Sequence, residues 1–267
     1  MPASRSARRV IERPRPPRRW PLILLVLIAV SVAAIFVLPA SLAGRFLPPQ
    51  VRANDFSGSL LHGAAGKLKV NGHDAGAVEW QVHPLALLRL AVVADIHWVK
   101  IGFVIDGTAE VGRSGVSAHD IKGGGPLENL SDLGFAAGWH GKVNLSFSQI
   151  KSDFRRLQAA VGNIAVADIS SASIAAGADL GSYVLQLAPD SVAADGSLTA
   201  QLKDNGGPVE AQAQIQFSPA MRTGLLSGTL KERPDASPAL LSQLNTLSQI
   251  RPRDSAGRFP VELEFTF

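Results

Sequence analysis

Six histidines, His62, His73, His83, His97, His119 and His140, all fall between positions 62 and 140 of a 267-residue chain. Imidazole is the side chain most often used to hold a metal or to move a proton near neutral pH. The spacing argues against both uses: no H-x-x-x-H or H-x-H pair aims two ring nitrogens at one ion, and most of the six sit beside turns or on polar strand faces. Thiolate-held zinc, a thiol nucleophile and disulfides are excluded, because the chain has no cysteine. Ser148-Gln149-Ile150-Lys151 has the S-x-x-K spacing that sets a lysine one helical turn from a nucleophilic serine, but the companion K-T-G and S-D-N elements are missing. Gly123-Gly124-Gly125-Pro126 lacks the Lys-Ser/Thr of a phosphate loop and reads as a flexible connection. The carboxylates are scattered, with no pair assignable to a cleft. The residues predict no catalytic centre, no metal and no cofactor.

The elements that would position any site are strands. Leu68 and Val70 alternate with Lys67 and Lys69, Asn71-Gly72 supplies hairpin-turn chemistry, and Val78, Trp80 and Val82 alternate with Glu79 and Gln81. Further strands are expected over 92–100, 103–111, 116–122, 142–147, 183–187 and 197–202. Between Val209 and Phe217 the odd positions are apolar while Glu210, Gln212, Gln214 and Gln216 are polar, so one face packs and the other stays wet. A last strand, Val261 to Phe267, reaches the final residue. Helical signals are few. Ser237 as N-cap and Pro238 at the first helical position open a helix over 237–250 whose leucines fall near one face. A shorter helix is expected over 152–162, and Leu127, Leu130 and Leu133 mark a short turn. The fold class is mainly β, an antiparallel β-rich domain with one or two packed short helices.

The N-terminus has a different composition. Of the 26 basic and 22 acidic residues, seven arginines and one glutamate lie within residues 1–19, leaving nineteen and twenty-one, a net of −2. The sequence pI of 9.7 therefore belongs to a tail and gives no case for a nucleic-acid-binding domain. From Leu22 to Leu38 only Ser31 interrupts an apolar run, roughly 25 Å as a helix and enough to cross a bilayer with its flanks. Trp20 with Arg18 and Arg19 occupies the interfacial position, and the one-sided arginines predict a cytoplasmic N-terminus and an exported remainder. Ser41 and Ala43 offer a signal-peptide cleavage site as the rival reading. The expected organisation is a basic arm 1–19, a transmembrane helix 20–43, a linker 44–53, and two β-rich halves, 54–150 and 151–267.

Trp80, four residues before Pro84, has two readings, a core anchor whose strand Pro84 ends or a partner-docking hot spot. Trp98 and Trp139 read as packing residues.

Leu38-Pro39-Ala40, the turn Ser57-Gly58-Ser59-Leu60-Leu61-His62-Gly63 and the strand Gly76 to Pro84 resemble type II secretion system protein N, also called general secretion pathway protein N. His62 stands where that family commonly has tryptophan. The resemblance implies a non-enzymatic, single-pass inner-membrane protein with a periplasmic domain. Its implied partners are the inner-membrane platform proteins and the outer-membrane secretin of the apparatus that exports folded proteins. A second resemblance, to AsmA-type envelope lipid-transport proteins, implies instead an apolar β-groove for acyl chains.

Overall fold

In the computed structural model, residues 38–133, 138–218, 223–250 and 252–266 are described. Thirteen strands form one antiparallel sheet in strict chain order. They are β1 (Val51–Gly58), β2 (His62–Val70), β3 (His73–Val82), β4 (Val92–Lys100), β5 (Phe103–Gly112), β6 (Gly115–Pro126) and β7 (Trp139–Ser152), then β8 (Leu157–Ser171), β9 (Ile174–Leu187), β10 (Leu198–Asp204), β11 (Val209–Ser218), β12 (Thr223–Glu232) and β13 (Phe259–Thr266). Every strand pairs only with its sequence neighbours, so turns alternate between two rims.

The register explains the alternation in the sequence. One row runs Phe56, Ala65, Val78, Trp98, Ile105, Gly123, Leu145, Ile164, Leu185, Leu202, Ala213, Gly228 and Val261, apolar on all thirteen strands. One residue along, from β3 onward, the row reads Glu79, His97, Asp106, Lys122, Ser146, Asn163, Gln186, Gln201, Gln214, Ser227 and Glu262. Side chains alternate across the sheet, so a one-residue slip would exchange the two faces, and burial on one side fixes the register. Bulges at Asp106/Thr108, Phe147/Gln149 and Val166/Ile169 add local bend and twist.

Few aromatics serve this face, and glycines make room for them. A Cβ on Gly63 would lie 2.7 Å from the Trp80 ring, on Gly162 2.7 Å from Phe147, and on Gly224 2.3 Å from Phe265. In each case the glycine is the aromatic's cross-strand partner, so the ring lies over bare backbone and gains the area that a side chain would take.

Short elements cover the apolar face in places. Helix α1 (Pro238–Ile250) presses Leu240 and Leu244 onto Val209 and Phe259, each such burial contributing about 2 kcal/mol. Its N-cap is the one expected: the Leu240 amide donates to Ser237 Oγ over 3.3 Å. A 3₁₀ helix at Leu127–Leu133 lays Leu130 on Phe103 and Val143. The loop after β9 lays Val192 on Leu187 and Ala200, held by Ser191 Oγ donating to the Ala160 carbonyl over 2.9 Å.

Several expectations are corrected. Residues 152–162 form no helix: β7 turns at Asp153 into β8, with the Asp153 carboxylate accepting from the Arg155 and Arg156 amides at 3.0 and 2.8 Å. The turn consumes the donors a helix would use. β7 also runs across the boundary between 150 and 151 without a break, so both expected halves belong to one sheet. Gly123–Pro126 is the end of β6, not a flexible connection; Gly123 is required because a Cβ there would lie 2.3 Å from the Val104 carbonyl oxygen. The segment expected as membrane exit and linker is structured as well: Ala40–Phe46 is a 3₁₀ helix and β1 begins at Val51. Of the expected transmembrane helix, residues 20–37 lie outside the described residues, as do Arg18, Arg19 and Trp20. Among the described residues no helix is long and apolar enough to cross a membrane.

Candidate functional surfaces

Trp80 lies on the apolar face near the first strands. Its Nε1–H donates to the Leu60 carbonyl over 2.9 Å, and its ring meets Phe56 edge-on at 6.5 Å. The chain entering the domain is fastened beside it. Pro39 bridges to Ser59, the Leu60 amide donates to the Leu38 carbonyl over 2.8 Å, and Ala40 is 1% exposed. A Cβ on Gly63 would reach Trp80 and Ala40 together, which shows how closely the entering segment and the indole approach. Trp98 is held similarly, its Nε1–H donating to the Ala75 carbonyl over 2.6 Å with Phe103 edge-on at 5.9 Å. Pro84 stands apart, exposed, at the head of a 3₁₀ helix (Pro84–Arg89).

On the polar face, β3 to β6 border a shallow depression of about 370 Å³ lined by Glu79, Gln81, Asp95, His97, Asp106 and Thr108 among others. His97 Nδ1 lies 2.6 Å from Asp106 Oδ1, and this hydrogen bond raises the imidazole pKa. His83 Nε2 lies 2.7 Å from Asp95 Oδ2, and Thr108 Oγ1 donates to Asp95 Oδ1 over 2.8 Å. Those two bonds, the His83 one foremost, hold the Asp95 carboxyl below its ordinary pKa. The order of these three groups decides their chemistry. A hydroxyl nucleophile of the triad kind needs imidazole between itself and the carboxylate; here the carboxylate stands between hydroxyl and imidazole, so Thr108 meets only a weakly basic carboxylate and not the imidazole. Ser148 and Lys151 lie on strand β7, not on a helix, and Ser148 Oγ donates to the Val161 carbonyl over 3.3 Å. Among the described residues no three His, Asp or Glu side chains group as metal ligands.

The sequence reading missed a rim. The 3₁₀ helix Pro84–Arg89 leaves Leu85, Leu88 and the following Leu90 in solvent, and Phe154 projects from the β7–β8 turn. "PLALLRL", Pro84 to Leu90, is the available signal, an apolar run too short for an α-helix of its own.

These features define an all-antiparallel meander protein, one face apolar and the other polar, whose described surfaces offer extended area rather than a reactive cleft. The sequence profile of the family described as type II secretion system (T2SS), protein N, matches residues 49–262, and the chain belongs to that family. It is thereby a type II secretion component. No curated protein and no solved structure matches the chain. The match favours secretion over the AsmA-type lipid-transport reading, which gains no support.

Proposed function

We propose that this protein is a non-enzymatic, single-pass inner-membrane component of the type II secretion system. Its N-terminal arm faces the cytoplasm and its sheet faces the periplasm, where it helps the export of folded proteins through contacts with platform proteins and the secretin. The observation that carries this reading is the family match, which spans the sheet from just before β1 into β13. The Leu22–Leu38 run with its one-sided arginines supports the topology. β1 and β13 are the sheet's two edge strands, and an edge can accept a partner's strand through main-chain hydrogen bonds. Trp80 serves as the anchor of the entering chain, not as a hot spot.

The test is gentle solubilisation of the tagged full-length protein from its own envelope, with quantification of the copurifying proteins. Stoichiometric platform proteins or secretin are expected. Recovery of the protein without any secretion component would overturn the assignment.

A further inference from the structure

Among the described residues six non-glycine residues have positive φ, and four of them, Asp55, Asn71, Asp120 and Asp168, are the Asx types that tolerate it. The other two are Leu90 (φ 57°) and Phe154 (φ 69°), bulky residues for which that backbone is strained. Both side chains point into solvent, Phe154 with 60% of its surface exposed, and Leu88 nearby is 83% exposed. Strain at a bulky apolar residue that gains no burial within the fold points to something outside it.

Leu90 and Phe154 share one rim. Turns of a meander alternate, so the β1–β2, β3–β4, β5–β6 and β7–β8 connections lie together. Val92 pairs with Val111, and Val116 with both Val111 and Ser152, which sets the Pro84–Arg89 helix within about four strand spacings of Phe154, roughly 19 Å. Exposed Arg89, Arg113 and Arg155 stand among the apolar tips. The chain also enters the domain here: the Leu38 carbonyl accepts from Leu60 in the β1–β2 turn, and Leu38 closes the apolar run that begins at Leu22.

We infer that this rim rests on the anionic phospholipid surface of the membrane that holds the N-terminal segment, with the leucines and Phe154 dipping between headgroups and the arginines pairing with phosphates. Apolar tips interleaved with arginine are the composition of an interfacial contact, and an entry point on the same rim holds it at the bilayer. The inference rests on the anchored topology proposed above.

The cysteine-free chain allows the test by single-site labelling. Full-length Leu88→Cys, Phe154→Cys and Ile101→Cys proteins carry an environment-sensitive fluorophore and are reconstituted into vesicles of equal parts phosphatidylethanolamine and phosphatidylglycerol. Ile101 is 81% exposed on the opposite rim. Labels at 88 and 154 are expected to shift blue and to be quenched several-fold more by lipid spin-labelled near the headgroup than the label at 101, with the difference reduced in pure phosphatidylcholine. Equal quenching at the three positions would overturn the inference, and so would labels that ignore lipid but shift when purified secretion partners are added. Carbonate extraction of the same vesicles separates the two ideas: a chain that washes off refutes the anchor, while a retained chain with unquenched labels refutes only the rim.

Discussion

Replacing Trp80 separates anchor from hot spot. Trp80→Phe removes the Nε1–H that the Leu60 carbonyl accepts at 2.9 Å, a loss of about 1 kcal/mol, and trims ring area over Gly63. The sum is about 1–2 kcal/mol, and Trp80→Ala, at a half-buried site, loses about 3 kcal/mol against the upper values for fully buried tryptophan. The edge contact with Phe56 at 6.5 Å predicts coupling of about 0.5–1.5 kcal/mol in a Trp80→Phe, Phe56→Leu double-mutant cycle. Thermal unfolding of the full chain in detergent, followed by circular dichroism in the β-strand band, reads these losses as a Tm lowered by about 2–4 °C per kcal/mol for a domain of this size. Capture of secretion partners below the transition is measured in parallel. An anchor lowers Tm and leaves capture unchanged. A Trp80→Phe chain with unaltered Tm, no coupling to Phe56 and diminished capture would refute the reasoning.

Other outcomes follow from single features. Burial first, then Asp204 and Asp179, pushes the Tyr183 hydroxyl up to about 12 from 10.0; it is the chain's one tyrosine, so absorbance titration at alkaline pH gives a single curve with a midpoint well above that in urea. Its folded pKa is raised, so the associated stability is full below pH 10 and is lost as pH climbs through 12. At Asp204 burial alone would raise the pKa, but the Arg233 hydrogen bond and charge outweigh it and the carboxyl sits below its ordinary range. That stability is present above the usual carboxylate range and is lost as pH falls through the lower folded value, and Arg233→Met, measured by urea unfolding against pH, should remove the dependence and about 1–3 kcal/mol. Gly162→Val places atoms within 2.7 Å of the Phe147 ring, so overpacking of about 1–3 kcal/mol is expected in the same assay.

Much of the sheet was legible because burial on one face writes a period of two into the chain. β4 was read at its true bounds, Val92–Lys100, and α1 by its cap and proline. The misses have physical causes. The expected linker 44–53 overlaps the start of β1, Val51–Ala53, because Arg52, Asn54 and Asp55 interrupt the strand's apolar positions and Asp55 turns to positive φ. β12 hid behind Gly224, Gly228 and the doublet Leu225-Leu226, since glycines that make room for Phe265 and for the β11 backbone cannot also signal a strand. The 152–162 helix was credible because Leu157, Ala160 and Val161 suit either period, and only the Asp153 turn decides. The rim could not be read at all: which turns share a rim follows from strand order, which local patterning does not state.

Strand order has a temporal side. Each strand of this sheet needs only the strand before it, so the loops that must close during folding stay short and the entropy lost in closing them stays small. A chain synthesised from its N-terminus can add strands to a growing edge in order of emergence, so each strand's main-chain groups find a partner in the next strand. The same locality makes stability accumulate from neighbour to neighbour, as in repeat proteins. A lesion in a late strand such as β12 therefore leaves the first strands, and the fastening of the entering chain beside Trp80, in place.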